Sequence, residues 1–210
     1  MTHNKGSTFA IIQEKPSQLG YTVYHEILNA LDFGLPQKRE RVFIVGFQEP
    51  IAFDFPTGIG KYKPLSEILE PDNEVDPNLY ASARIRKSRQ EKCKIDPFFP
   101  SIWHENKGGN ISVLPFSCAL RAGASYNYLL VNGVRRLSGR EMLRLQGFPE
   151  DFKIVVNMIQ LRKQTGNSVA IPVVHAIAEK MLKALQEREP MEHATGKQLL
   201  LFENRESVYV

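Results

Sequence analysis

The sequence predicts an α/β protein in two pieces. Residues 8 to 47 pass from a helical stretch to two β-rich runs, Tyr21 to Leu28 and Val42 to Phe47. Residues 60 to 134 carry short β-branched runs broken by Gly, Pro and Asn, the pattern of a small, irregular β-rich domain. Beyond Ser138 the apolar period returns to that of a helix. With 210 residues, 42% of them hydrophobic, the chain suffices for one large domain or two small ones with packed cores.

Thr8 to Leu19 reads as a helix with Phe9, Ile12 and Leu19 as its apolar positions, Pro16 awkward inside it and Gly20 at its end. Tyr21 to Leu28 is a strand. Asn29 to Pro36 turns the chain back, and Val42 to Phe47 is a second, buried strand. A helix and two strands do not easily close a sheet core, and the second strand is too apolar for a free edge. This segment therefore calls for a partner or a missing half. Pro64 to Leu69 suits one helical turn stopped by Pro71, and 70–79 reads as acidic surface loop. Ile111 to Leu114, Phe116 to Arg121 and Tyr128 to Val131 read as strands, with Asn132-Gly133 as a hairpin turn. Ser138 and Glu141 have capping-box spacing, so a helix starts at Gly139 and ends at Gly147 and Pro149. Val169, Val173, Ile177, Met181 and Leu185 give a last helix from near Ser168, with Pro172 in its first turn. After Glu187 the tail is polar apart from Leu199 to Phe202, a segment suited to docking on a partner.

The formal charge of +4 and pI near 9.0 permit nucleic-acid binding without proving it. Cys93 and Cys118 cannot make a metal cluster alone, and Cys118 lies among apolar residues as a core residue would. No signal peptide is visible, so reduced thiols in a cytoplasm are the simplest reading. No apolar run is long enough to span a bilayer.

Gln37-Lys38-Arg39-Glu40-Arg41 leads into the second strand. In an extended chain Gln37, Arg39 and Arg41 share one face. Guanidinium groups suit phosphate and the planar oxygen edges of bases. On spacing alone, a polar strand end with solvated charges is the simpler reading. Two other basic groups stand out. Arg84, Arg86, Lys87, Arg89, Lys92 and Lys94 are either a solvated helix face or a contact for the DNA backbone. Arg136, Arg140 and Arg144 recur every four residues, for solvation and salt bridging or for DNA.

Three blocks, in order, resemble those of DNA (cytosine-5) methyltransferases. Gly34-Leu35-Pro36-Gln37-Lys38-Arg39-Glu40-Arg41-Val42-Phe43-Ile44-Val45-Gly46-Phe47 is similar to the family's Gln-x-Arg-x-Arg block. Arg135 to Pro149 resembles the block closing the target-recognition region, and Gln164 to Pro172 resembles the last block. The likeness runs from about residue 3 to 186 and covers the C-terminal half of such an enzyme. The chain lacks a Phe-x-Gly-x-Gly cofactor loop, a Pro-Cys-Gln nucleophile and a Glu-Asn-Val block. Cys93 has no such context and is rejected as the nucleophile.

The resemblance implies a partial Rossmann-like methyltransferase domain using S-adenosylmethionine, with a smaller β-rich target-recognition domain. Residues 1–59 would belong to the catalytic domain, 60–149 to target recognition and its closing helix, 150–187 to a return segment packing on the catalytic domain, and 188–210 to a tail. It implies methyl transfer to C5 of a cytosine flipped out of double-stranded DNA, by a Cys thiolate attacking C6 and a Glu at N3, neither held by this chain. Arg41 would face the flipped base, and Arg39 and Gln37 would contact phosphate and set site geometry. Asn167, Ser168 and Val169 would edge the cofactor, and no metal is implied. Arg121, Ser125, Tyr126 and Asn127 would reach base edges, or be ordinary loop residues, with Arg136 and Arg140 supporting DNA contact. The partner implied is an N-terminal half carrying the nucleophile, in a bacterial cytoplasm with no membrane. A natural two-chain enzyme, an interrupted gene and an excised piece all give this sequence; a start at Met between blocks and a full C-terminal region favour the first. A non-catalytic DNA-binding module and an inactive remnant are the alternatives.

Overall fold

The computed structural model describes residues 7–187. These fall into two compact units, one of 7–28, 41–57 and 175–187, the other of 29–40 and 58–174. Phe9 and the Leu199 to Phe202 segment lie where side chains, or the chain itself, are outside the described residues.

In the first unit α1 (Ser7–Gln18) leads into β1 (Thr22–Asn29) through Gly20, whose φ of +84° a side chain would strain. β1 is hydrogen-bonded to β3 (Glu40–Phe47) in a two-stranded sheet. Its core is aromatic: Tyr24, Phe47 and Phe53 meet edge to face or tilted, at centroid distances of 5.5–6.3 Å. The buried Tyr24 hydroxyl donates to the Ile51 carbonyl at 2.7 Å, and burial pushes its pKa up. The expectation of a wholly buried second strand is corrected. β3 alternates: Val45 and Phe47 are buried, while Val42 and Ile44 are 38% and 40% exposed. A two-stranded sheet with one packed face leaves the other open. Ile11 and Ile12 of α1, Ile27 of β1 and the downstream Leu182 and Leu185 are exposed too.

The second unit holds a three-stranded antiparallel sheet, order β5-β4-β7, from β4 (Ile102–Glu105), β5 (Ile111–Leu114) and β7 (Leu129–Val131). β7 ends in a tight turn in which Asn132 and Gly133 are both left-handed (φ 52° and 72°) and the Val134 N–H reaches the Val131 carbonyl at 2.9 Å. β4 had no strand signal beyond its aromatic neighbours, yet it is central. Its Trp103 packs on Leu130 and Val113. α2 (Ala83–Lys92), α3 (Gly139–Gln146) and α4 (Met158–Asn167) complete the unit. α3 begins on the capping box of Ser138 and Glu141 and ends at a left-handed Gly147. α4 was not expected. It buries only Leu161, Thr165 and Gly166, too few apolar positions to signal a helix. Leu161 shares a core with Met142, Leu143 and Ile102, so residues 150–174 group with the second unit.

The short β2 (Gln37–Lys38) pairs in parallel with β6 (Ser117–Cys118). The expected strand to Arg121 stops early because the backbone groups of Leu120 bond to side chains instead of a neighbouring strand. α5 (Ile171–Glu187) starts three residues after Ser168, with Pro172 in its first turn. Gly166 and Asn167 are the last turn of α4, which Ser168 caps, not a turn entering α5.

Candidate functional site

Gln37 is fully buried and Arg39 5% exposed, and both reach the same residue. The Leu120 N–H donates to Gln37 Oε1 at 3.0 Å, and Arg39 Nη1 donates to the Leu120 carbonyl at 3.0 Å. Gln37 Nε2 also donates to the Leu145 carbonyl at 2.7 Å and lies 3.4 Å from Gln146 Oε1. Gln146 Nε2 donates to the Thr165 carbonyl at 2.5 Å. Arg39 Nη2 donates to the carbonyls of Gly166 and Ser168 at 3.1 and 2.6 Å. The three blocks singled out in the sequence thus converge on one buried polar junction, at residues 37–39, 145–146 and 165–168. The expected phosphate contact by Gln37 and Arg39 is corrected, because their side chains are buried on backbone groups. Both side chains tie together the backbone at Leu120, Leu145, Gly166 and Ser168. Arg41 belongs to the first unit, exposed on β3.

Around α3, Arg135 and Glu141 form a two-pronged ion pair, at 2.9 and 3.0 Å, with exposures of 1% and 0%. Glu141 also accepts the N–H groups of Glu70 and Ser138. Burial lowers the Arg135 pKa, but Glu141 and Asp72 outweigh it and raise it. The row expected to face DNA also bonds within the chain: Arg136 donates to the Asn78 carbonyl, Arg140 to those of Pro149 and Phe152, and Arg144 to Glu150 and Ile68. From the basic run, Arg89 is removed. It is buried, 2.7 Å from Glu105, and donates to the Asn127 carbonyl. Arg84, Arg86, Lys87, Lys92 and Lys94 are exposed on or next to α2.

Arg121, Ser125 and Tyr126 are exposed on one loop, with Asn127 half-buried. The Arg121 guanidinium lies over the Tyr128 ring at 4.7 Å, and that of Arg162 over the Tyr126 ring at 3.9 Å. Arg121, Tyr126, Arg136 and Arg162 rim a pocket of about 250 Å³ whose wall includes Leu120, Leu137 and Met142. Ser125, Asn127 and Arg140 do not line it. Arg162 had no signal in the sequence. At the end of α4, Asn167 and Val169 are exposed, while the Ser168 hydroxyl donates to the Thr165 carbonyl at 3.0 Å. An exposed amide beside an apolar side chain fits the edge of a nucleoside-like cofactor but does not enclose one. Among the described residues no group of three or more His, Cys, Asp or Glu is placed to hold a metal, and no helix is long and apolar enough to cross a membrane.

A sequence model of the C-5 cytosine-specific DNA methylases matches residues 1–183. The chain belongs to that family. It is 60% identical over 175 residues to the type II methyltransferase M.NgoBI of Neisseria gonorrhoeae, covering 83% of this chain and 55% of that protein. Against the type II methyltransferase M.HaeII of Haemophilus aegyptius it is 56% identical over 184 residues, covering 88% and 58%. The family member in hand thus spans little more than half the length of these two relatives. Its fold is that of solved methyltransferases at low identity. For Dnmt2 of S. pombe the TM-score is 0.60 at 18% identity, over 87% of this chain and 65% of the other. For EhMeth of Entamoeba histolytica it is 0.62 at 14%, over 84% and 58%.

Proposed function

We propose that this chain is the C-terminal half of a cytosine-5 methyltransferase of restriction–modification type, acting on double-stranded DNA with S-adenosylmethionine. The observation that carries the proposal is the junction at Leu120, where three blocks far apart in sequence meet through Gln37, Arg39 and Gln146. Such a junction orders a site without itself reacting. S-adenosylmethionine supplies the methyl group, and Asn167 and Val169 hold its edge. Arg41 faces the flipped cytosine. Gln37 and Arg39 keep the 120–121 and 166–168 segments in place. The loop of Arg121, Ser125, Tyr126 and Asn127 reads base edges, helped by Arg136 on the pocket rim. In this reading the first unit and α5 complete a Rossmann-like catalytic domain, and residues 60–149 form the target-recognition domain.

The nucleophile comes from an N-terminal half. Exposed Val42, Ile44, Ile27, Ile11 and Ile12 support this, since a protein rarely leaves so many apolar side chains of one unit in water. The test is transfer of labelled methyl to mixed-sequence DNA, by this chain alone and mixed with an N-terminal half carrying a Pro-Cys-Gln loop. Activity in the mixture only, lost with Arg41→Ala, is expected. A stable complex without activity, with specific DNA binding by this chain alone, would instead indicate a non-catalytic DNA-binding module.

A further inference from the structure

We infer that Arg162 and Gly166 of α4 are positioning residues that set the shape of the 121–127 loop and, through it, the selectivity for DNA sequence. The second half of this inference rests on the methyltransferase reading above. The two residues lie one turn apart on the same helix face. The Arg162 guanidinium stacks on the Tyr126 ring at 3.9 Å, and its Nη2 donates to the carbonyls of Ala124 and Ser125 at 3.4 and 3.3 Å. Gly166 meets the other end of the loop by backbone contact. A Cβ there would sit 2.3 Å from the Ala122 nitrogen and 2.7 Å from the Arg121 carbonyl carbon. The loop is closed from the strand side as well, where the Arg121 N–H donates to the Tyr128 hydroxyl at 3.0 Å. α4 is therefore a template against which the loop is moulded.

The chemistry requires arginine. A guanidinium lies flat on an aromatic face and keeps its N–H edge free for carbonyls in the same plane, which a lysine ammonium cannot do. Held this way, the exposed Tyr126 ring is fixed at the pocket rim instead of swinging. A base-reading loop with a fixed ring discriminates between sites; a mobile one contacts all of them.

The experiment compares Arg162→Ala, Arg162→Lys and Gly166→Ala with the unaltered chain by two readouts. The first is amide hydrogen exchange of residues 121–127 in the full chain. The second is methylation by the mixture with an N-terminal half, on its preferred site and on sites changed by one base pair. We expect both Arg162 variants to raise loop exchange about tenfold, the equivalent of losing a partly desolvated stack. Discrimination between sites is expected to fall about tenfold, with turnover on saturating preferred DNA within about threefold. Wild-type loop exchange or wild-type discrimination in Arg162→Ala overturns the inference, and wild-type behaviour of Arg162→Lys overturns the stacking requirement. If the unaltered mixture methylates no DNA, the methyltransferase reading fails and the selectivity half falls with it. The exchange data still decide whether Arg162 holds the loop. Should Gly166→Ala not fold, the two Arg162 variants carry the test.

Discussion

The Gln37 side chain accepts the Leu120 N–H at 3.0 Å across 83 residues of sequence. Arg39 takes the carbonyl of the same residue. Leu120 is thus held at both backbone groups by side chains of one short segment, as a strand partner would hold it, immediately before the Arg121 loop.

Replacing Gln37 with Leu removes a donor and an acceptor from a site without water access. The Leu120 N–H and Leu145 carbonyl lose their partners, each at about 1–3 kcal/mol. Trp103 is the chain's single tryptophan and is buried in the same unit, so urea unfolding followed by its fluorescence reads that unit directly. A lowered midpoint is expected, lower still for Gln37→Glu, which loses the donor to Leu145 and buries a charge. An unchanged midpoint in both variants would falsify the structural role of Gln37.

Removing Arg135 leaves Glu141 as an uncompensated buried charge, and removing Glu141 leaves the buried Arg135 with only the largely exposed Asp72 as its carboxylate partner. Glu141→Gln is expected to destabilise by about 3–5 kcal/mol. Ser138→Ala, which removes the cap of α3 and the hydroxyl's hydrogen bond to the Glu70 carboxylate, should cost about 1–2 kcal/mol. The same fluorescence assay orders the two, and equal losses would show that Glu141 acts only as a cap.

His104 has its pKa lowered, by burial first and then by the Arg121 and Arg89 charges. The unfolded chain therefore takes up a proton before the folded one does. Its contribution to stability is complete above the ordinary histidine value of 6.5 and is lost as pH falls towards the depressed folded value. As pH falls below the ordinary histidine value, melting monitored by Trp103 should drop more steeply in the unaltered chain than in His104→Gln. Parallel profiles would show that His104 does not contribute.

Arg41→Ala separates site chemistry from folding. Methyl transfer by the mixture should drop about 100-fold or more, as for loss of a charged group at a reacting centre. Since Arg41 is exposed, the stability of the first unit, read by amide hydrogen exchange of β1 and β3, should move by less than about 0.5 kcal/mol. A loss of stability matching the loss of activity would make Arg41 a scaffold residue.

What was legible in the sequence was local. Ser138, Glu141 and Gly147 mark the ends of α3, Asn132-Gly133 marks a tight turn, and Pro172 marks the first turn of α5. Each signal and its consequence lie within a few residues. β4 was illegible because a central strand is recognised by neighbours that come from 111–114 and 129–131. α4 was illegible because it packs with three buried residues and a stacked arginine instead of an apolar stripe.

The sequence by itself determined the family, through three ordered blocks, and the residues that cap and turn the chain. Only the tertiary structure decided what those blocks do. Gln37 and Arg39 carry donors and acceptors that suit a phosphate as well as a carbonyl, and nothing in their immediate neighbours chooses between them. Their partners stand 81 to 129 residues away, at Leu120, Leu145, Gly166 and Ser168. Once folding removes water from that junction, an unmatched donor is costly, and the side chains bind the backbone that needs them.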